Sequence, residues 1–307
     1  SLPPLWSDSA KASRASNASE SPYRITRRFA PAVADTTTTD ASKTVTATSA
    51  TAGRPPFRAP IAPRLSPNAE IGTAPGSYTS TVVYLDYAAT TPMYPEAAAA
   101  MRPFQSETFG NPSGAHAAAR AAKTALEEAR EQIAAVLGAE PSEIVLTGGG
   151  TEAANLAVKG AARAARGAGK GDGVGTTAFE HKGVLAPCDR LARDGLRVTR
   201  VRVDSDGIVD LDALEAALDD RTVVVSVMLV NNEVGTIQPL ADVARLVRAR
   251  APHAALHTDA VQGVCWLDVA ALTAVADLVS ISAHKFGGPK GVGVLVVAVG
   301  STLVVNL

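Results

Sequence analysis

Apolar and polar positions follow two different periods along the chain beyond about residue 80. Apolar residues recur at spacings of three and four in AAARAAKTALEEAREQIAAVLG, which predicts an amphipathic helix that ends at Gly138. The stretches TVVVSVMLV and LVSIS are instead short and apolar nearly throughout, as expected of strands buried on both faces. RVTRVRV alternates between apolar and polar residues, which predicts a strand with one exposed face. The two periods together indicate a globular part that contains both helices and strands.

Predicted strands and helices alternate along this part of the chain. The strands are EIVLT, GVGTTAF, RVTRVRV, TVVVSVMLV, ALHTDA, LVSIS and VGVLVVAV, and helices such as TEAANLAVKGAARAARG, HKGVLAPCDRLARDG, DLDALEAALDD and LADVARLVRARA lie between them. This alternation predicts an α/β fold with a mainly parallel sheet and helices on both faces. In such sheets ligands bind at the carboxyl ends of the strands.

The first 80 residues have no such period. They are rich in Ser, Thr, Ala and Pro, with nine Lys and Arg against five Asp and Glu. We therefore expect residues 1–80 to be a low-complexity, disordered extension, residues 81–95 a separate N-terminal segment, and residues 96–307 the globular domain. An Arg-rich and Ser/Thr-rich leader poor in acidic residues is also typical of an organelle transit peptide, which stays open as an alternative.

Composition narrows the class of protein. The net charge of −1 argues against nucleic acid as the main partner. No apolar run approaches the roughly 20 residues needed to cross a bilayer, so no membrane partner is expected. The two cysteines, Cys188 and Cys265, indicate neither a disulfide framework nor a metal site. A reducing compartment, the cytoplasm, is the default expectation.

Polar side chains follow successive predicted strands. Glycines 148–150 and Thr151 come after EIVLT and open a helix, an arrangement suited to binding a phosphate. The polar residues after later strands are Glu180 and His181, then Asn231, Asn232 and Glu233, then Asp259 with Gln262, and finally His284 and Lys285. Each alone has an ordinary explanation as a turn cap, a packed imidazole or a solvated charge. Because they all come at strand ends that face one crevice, we expect them to form a site.

This set of residues suits one kind of chemistry. A desolvated lysine such as Lys285 forms a Schiff base with an aldehyde cofactor. Asp259 is placed to pair with a protonated pyridine nitrogen, which keeps the ring an electron sink. With a histidine to stack on the ring and a helix start for a phosphate, these are the requirements of pyridoxal 5'-phosphate.

Seven motifs carry a resemblance to a known family. They are VYLDYAATTPMYPEA, FGNPSGAH, TGGGTEAANLAVKG, FEHKGVL, LVNNEVGTIQPL, HTDAVQ and SISAHKFGGPKGVG. In this order, over about residues 81–298, they resemble the cysteine desulfurases of the class V aminotransferases. The resemblance implies the large domain of the aspartate aminotransferase-like fold, a smaller domain and a homodimer. It also implies conversion of L-cysteine to L-alanine with an enzyme persulfide, whose sulfur passes through an acceptor or scaffold protein to iron–sulfur clusters and thiolated tRNA.

The resemblance also implies residue roles. Lys285 forms the Schiff base and moves the Cα proton, and His181 stacks on the ring and assists proton transfer. Asp259 pairs with the ring nitrogen, Gln262 with the ring oxygen, and Asn232 contacts the ring side and the substrate. The residues implied to hold the phosphate are Gly150, Thr151, Ser282 and His284.

Two features depart from the family pattern. Gly148 stands where the family's phosphate loop has a serine, so one hydroxyl is lost. Only 22 residues follow Lys285, whereas the family's persulfide-forming cysteine and carboxylate-binding arginine lie further on. We therefore expect the large domain to be incomplete, the C-terminal small domain to be absent, and this chain not to turn over cysteine.

The two cysteines do not change that expectation. Cys188 and Cys265 are predicted to be packed thiols, and buried thiols are usually unreactive. Three alternatives therefore stay open at the level of sequence. They are a cysteine desulfurase, a selenocysteine lyase or other class V lyase with the same cofactor apparatus, and a catalytically incompetent truncated product.

Overall fold

A computed structural model describes residues 83–304 of the chain. The predicted disordered extension over residues 1–80 lies outside this part and stays a prediction. The seven described strands are β1 Ile144–Thr147, β2 Gly173–Thr177, β3 Arg197–Val201, β4 Thr222–Ser226, β5 Ala255–Asp259, β6 Leu278–Ser282 and β7 Gly293–Val297. The described helices are α1 Pro95–Met101, α2 Pro103–Ser106, α3 Ala117–Leu137, α4 Gly150–Gly167, α5 Lys182–Arg193, α6 Leu211–Ala217, α7 Leu240–Arg250 and α8 Val269–Thr273. None of these helices is long and apolar enough to cross a membrane.

The seven strands form one sheet in the order β1-β7-β6-β5-β4-β2-β3. Strands β6, β5, β4, β2 and β3 are parallel to one another, as the alternation of strands and helices predicts. Strand β7 runs antiparallel to both β6 and β1, between which it lies. The prediction of a mainly parallel sheet is therefore confirmed, and the antiparallel strand is an addition to it.

Helices cover both faces of the sheet. On one face, α4 and α5 pack against the strands through residues such as Ala157, Val184 and Leu191, all fully buried. On the other face, α6 and α7 contribute Leu214 and Val247 to a second buried cluster. Burying one such Val or Leu side chain stabilises the fold by roughly 1.5–3 kcal/mol. The two clusters explain why the central strands read as nearly continuous apolar runs.

The segment before α1 is attached to the turn that follows β6. Thr91 donates to the carbonyl of His284 through both its N–H and its hydroxyl, each at 2.9 Å. Gly287 N–H donates to Thr91 Oγ1 at 2.8 Å, and Tyr94 N–H donates to Gly287 O at 2.8 Å. The described part of the predicted 81–95 segment is thus held by hydrogen bonds to the part of the chain that carries Lys285.

One glycine makes this attachment possible, and we expect its replacement to be costly. Gly287 has φ +80°, and a Cβ there would lie 2.1 Å from the ring of Tyr94. Gly291 has φ +79° but no atom within 4 Å of the corresponding position. We predict that Gly287→Ala lowers the free energy of unfolding more than Gly291→Ala does, by about 1–3 kcal/mol, measured by urea denaturation.

The comparison is controlled because both substitutions carry the same left-handed backbone strain. A Tyr94→Ala background removes the clashing ring. In that background, Gly287→Ala and Gly291→Ala should lower the free energy of unfolding by similar amounts. Equal losses in the wild-type background would show that Tyr94 moves aside without cost.

Candidate active site

A cavity of about 980 Å³ lies at the carboxyl ends of the parallel strands. All nine residues singled out from the sequence line it: Gly150, Thr151, His181, Asn232, Asp259, Gln262, Ser282, His284 and Lys285. Parallel strands end at the same edge of a sheet, so residues up to 135 positions apart in the sequence meet there. The predicted gathering of strand-end residues is therefore a feature of the structure, while their individual roles stay proposals.

The turn between β1 and α4 forms one wall of the cavity. A Cβ at residue 150 would lie 2.8 Å from Val261 Cγ2 and 3.1 Å from Ser282 Cβ, so only glycine fits there without movement. Glu152 accepts a hydrogen bond from Gly148 N–H at 2.7 Å, which closes the turn. The first N–H groups of a helix have no intrahelical acceptor and carry positive potential. The start of α4 therefore offers the cavity a binding site for an anion.

A second helix begins beside the first. His181 is the N-cap of α5, and its Nδ1 accepts from Gly183 N–H at 3.0 Å, which fixes the ring. Asn155 donates to the carbonyl of Thr151 at 2.8 Å and to that of Gly183 at 3.3 Å. It thereby ties the start of α4 to the start of α5. The sequence analysis missed Asn155, and its position four residues after Thr151 on the same helix face was the available signal.

Asp259 contributes a buried carboxylate at the end of β5. It is 6% exposed and accepts from Val261 N–H at 3.0 Å. Burial raises the pKa of Asp259 above its usual range, while the Val261 N–H group, His181 and Lys285 act in the opposite direction. A cationic or protonated partner in the cavity would therefore relieve an existing cost of keeping this carboxylate ionised.

Lys285 lies against the N-terminal segment. Its Nζ donates to the carbonyls of Ala88 at 2.7 Å and Ala89 at 3.0 Å. Burial lowers the pKa of Lys285, and the carboxylates of Asp259 and Asp86 partly oppose that shift. A lowered pKa increases the fraction of neutral amine, which is the nucleophilic form. The two backbone acceptors were not predicted, because a carbonyl has no signature in the sequence.

The remaining cavity residues surround these groups. Gln262 donates to the same Ala88 carbonyl at 2.9 Å. His284 Nδ1 lies 3.1 Å from Thr90 Oγ1, and its pKa is lowered by burial and by the neighbouring charges of Lys285 and Lys290. The N-terminal segment thus contacts Gln262, His284 and Lys285.

Some strand-end residues noted in the sequence do not line this cavity. Glu180 is buried instead, where its Oε1 accepts from Thr177 Oγ1 at 2.7 Å and from Met228 N–H at 2.8 Å. Burial raises the pKa of Glu180 to about 8. Asn231 accepts from the backbone N–H groups of Glu233 and Val234 and shapes the turn after β4. These side chains support the site rather than face it.

Neither cysteine reaches the cavity. Cys188 is fully buried on α5, and burial, followed by the charge of Glu180, raises its pKa to about 12. Cys265 is only partly buried, and burial raises its pKa as well. A thiol with a raised pKa is a poor nucleophile because the thiolate is the reactive form. Cys188 is packed as predicted and Cys265 is so only in part, and neither lies where it could act as a nucleophile in this cavity.

Comparison with known proteins places this arrangement in a family. The profile of aminotransferase class V matches residues 83–301, which include every residue of the cavity. The chain belongs to the class V aminotransferase family. It is 47% identical over 221 residues to the cysteine desulfurase IscS of Dictyoglomus turgidum, covering 72% of this chain and 55% of that protein. The match to IscS of Neisseria gonorrhoeae is 46% over 218 residues, 71% and 53% of the two chains. The chain spans about half the length of these curated relatives.

Solved structures of this class V family support the same fold. A NifS-like protein superposes with a TM-score of 0.69 at 40% identity, covering 72% of this chain and 60% of that one. SspA, solved in complex with cysteine, gives 0.65 at 40% identity, with 70% and 60% covered. DndA from Streptomyces lividans gives 0.59 at 38% identity, with 70% and 59% covered. The predicted pyridoxal-phosphate transferase fold is thereby confirmed.

The raised pKa of Glu180 leads to a prediction about stability and pH. A carboxyl whose folded pKa is raised stabilises the fold while protonated, and that contribution is lost as the pH rises from 4.5 towards about 8. Glu180→Gln keeps the acceptor and cannot ionise. We predict that Glu180→Gln becomes more stable relative to the wild type as the pH rises. The difference in free energy of unfolding, measured by urea denaturation, should grow by about 1.4 kcal/mol per pH unit across this window.

The matched control is Glu233→Gln, which removes an exposed carboxylate from the turn after β4. Its difference from the wild type should stay nearly constant over the same pH range, because this side chain is exposed in the folded chain. A pH-independent difference for Glu180→Gln would show that Glu180 ionises without cost.

Proposed function

We propose that this chain binds pyridoxal 5'-phosphate in the cavity and acts in a cysteine desulfurase reaction that converts L-cysteine to L-alanine. The observation that carries the proposal is the meeting of three groups in one cavity. They are the Lys285 amine with its lowered pKa, the buried Asp259 carboxylate, and the glycine turn at the start of α4. Its similarity to proteins named cysteine desulfurase supports the choice of substrate.

The residues present fit the cofactor. The aldehyde requires an amine, for which Lys285 is assigned, and the pyridine nitrogen requires an acceptor, for which Asp259 is assigned. The phosphate is assigned to the start of α4, with Gly150, Thr151, Ser282 and His284. The absent side chain at residue 150 favours this assignment, because it lets the helix start lie directly against Ser282. The loss of a hydroxyl at Gly148 leaves this backbone site intact.

When bound, pyridoxal phosphate supplies an electron sink for the bond broken at the substrate Cα. The side chains of this chain do the rest of the proposed work. Lys285 takes and returns the Cα proton, and the carbonyls of Ala88 and Ala89 hold its amine when it is free. Asp259 holds the proton of the ring nitrogen through a charge-assisted hydrogen bond.

The remaining roles concern orientation. His181, whose ring is fixed by Gly183 N–H, stacks on the cofactor ring and assists proton transfer. Gln262 donates to the ring oxygen, for which it leaves the Ala88 carbonyl. Asn232 contacts the ring side and the substrate. These are the assignments implied by the family motifs, and their common position on the cavity wall supports them.

We propose that a thiolate attacks the substrate sulfur, so that an S–S bond forms as the C–S bond breaks and the sulfur leaves as a persulfide. Neither Cys188 nor Cys265 is assigned as that thiolate. We also propose that the protein works as a homodimer with a sulfur-acceptor or scaffold protein, and serves iron–sulfur cluster assembly and tRNA thiolation. Persulfide transfer requires free thiols, which favours a reducing compartment such as the cytoplasm over an oxidising one. The relatives named cysteine desulfurase support the sulfur-transfer part of this proposal.

Borohydride reduction tests the lysine assignment. We predict that reduction of the chain with bound cofactor, followed by peptide mapping, places the pyridoxyl label on Lys285. Lys285→Arg should lose the label and the visible absorbance of the linked cofactor. Lys290→Arg is the matched control, since Lys290 also lines the cavity, and should keep both. A label on Lys182 or Lys290 in the wild type would sink the assignment.

Exchange of the Cα proton tests the reaction. In D₂O, nuclear magnetic resonance should show exchange with L-cysteine, and Asp259→Ala should lower the rate by roughly 100-fold or more and weaken cofactor binding. Asp204→Asn, an exposed carboxylate in a loop, is the control and should retain the wild-type rate. Alanine and sulfide are measured in the same samples. Exchange without release of either product would meet the expectation that this chain does not turn over cysteine. Exchange with another amino acid but not with L-cysteine would indicate a different class V lyase.

A further inference from the structure

Three polar side chains form a row across the centre of the sheet, one on each of the neighbouring strands β4, β5 and β6. Ser226 on β4, His257 on β5 and Ser280 on β6 are all fully buried. Ser226 Oγ lies 2.8 Å from His257 Nδ1, and His257 Nε2 lies 3.2 Å from Ser280 Oγ. Both ring nitrogens of His257 therefore have a partner, which is what a buried imidazole requires.

Asp259 lies next to this row, at the edge of the cavity. Asp259 follows His257 by two residues and so lies on the same face of β5. It is directly opposite Ser280 in the register of β5 and β6. The Ser280 hydroxyl, on the same face, acts against the rise in the pKa of Asp259 that burial causes. Helix α4 covers this face, and its buried residues there include Ala153 and Ala157. Water is therefore excluded from the row, and the cavity begins at Asp259.

His257 stays neutral in these surroundings. Burial alone lowers its pKa to about 3. A neutral imidazole has one N–H donor and one acceptor nitrogen, so its tautomer must match the direction of the hydrogen bonds on either side. The two flanking hydroxyls each donate or accept, so they permit either direction.

We propose that Ser280 and His257 are positioning residues for Asp259, and that the charge of Asp259 sets the direction of every hydrogen bond in the row. This inference rests on the proposed function for its catalytic meaning. With Asp259 ionised, Ser280 donates to the carboxylate and accepts from His257 Nε2–H, while His257 Nδ1 accepts from Ser226. With Asp259 protonated, the carboxyl donates to Ser280, Ser280 donates to Nε2, and Nδ1–H donates to Ser226.

The two arrangements differ by one proton, which is taken up at Asp259, and by the tautomer of His257. The charged or titratable groups that act on Asp259 are Lys285 and His181 from the cavity wall and Glu180 from beneath it. Lys285 and His181 both favour the ionised arrangement, and a pyridinium partner would favour it further.

The tautomer of His257 is measurable in the full chain without cofactor. The chain has five histidines, few enough for ¹⁵N labelling to resolve each ring. We expect His257 to be neutral from about pH 5 to 9 and to have the Nε2–H tautomer at the upper end of that range. Ser280→Ala removes the Nε2 partner, so the tautomer should change to Nδ1–H, whose donor still has Ser226 as an acceptor.

Thr258→Val is the matched control. Thr258 is on the same strand and fully buried but on the opposite face, and its hydroxyl has no partner among the described residues. It should keep the wild-type tautomer. A His257 that has Nδ1–H in the wild type throughout the range, or the same tautomer in Ser280→Ala and the wild type, would overturn the proposal.

Titration with pyridoxal phosphate separates this inference from the proposed function. If the cofactor binds, Ser280→Ala should shift the pH dependence of its visible absorbance, whereas Thr258→Val should not. If the chain binds no cofactor but His257 changes tautomer in Ser280→Ala, the proposed function fails and the inference about the row stands. If the cofactor binds but the tautomer of His257 does not change in Ser280→Ala, the inference about the row fails and the proposed function stands.

Discussion

The close approach of helix α4 to the sheet is the constraint on which the rest of this structure depends. A Cβ at residue 293 of β7 would lie 2.5 Å from the backbone of Gly149, and one at residue 150 would lie 2.8 Å from Val261. Glycine at both places lets the helix start reach the strand ends. Alanines farther along α4 continue the same close contact over the middle of the sheet. This close contact between α4 and the sheet forms the anion site and one wall of the cavity, and it also buries His257.

In the cavity, Asp259 and Lys285 each affect the pKa of the other. Asp259 and Lys285 are both partly removed from water, and burial shifts the pKa of each towards its neutral form. Each one opposes the shift of the other, so the pair lies closer to ionisation than either side chain alone would. The carbonyls of the N-terminal segment add acceptors for the amine, while Val261 N–H adds a donor for the carboxylate. Such a balance is suited to chemistry in which a proton moves back and forth.

Much of this architecture could be predicted because its signals are local. The apolar period fixes most strands and helices, and the rule for parallel sheets brings His181, Asp259 and Lys285 together from their places at strand ends. The antiparallel insertion of β7 between β1 and β6 was not predicted, because strand order depends on contacts far apart in the sequence. Nor does a strand-end position reveal which way a side chain points: Glu180 is buried beneath the cavity that His181 lines. The carbonyl acceptors of Lys285 were beyond prediction, since every residue has a carbonyl.

The strand order also determines which strand is open to pairing with another chain at the edge of the sheet. It leaves β3 at one edge of the sheet, where unpaired backbone groups invite another chain to add a strand. Arg197 and Arg200 project from this edge strand and form ion pairs with Asp219 and Asp189. Exposed pairs of this kind add little to stability. These charged side chains instead act on other chains. A strand that paired with β3 would have to pass bulky, charged groups, so this edge disfavours aggregation by strand addition at a small cost to the stability of the fold.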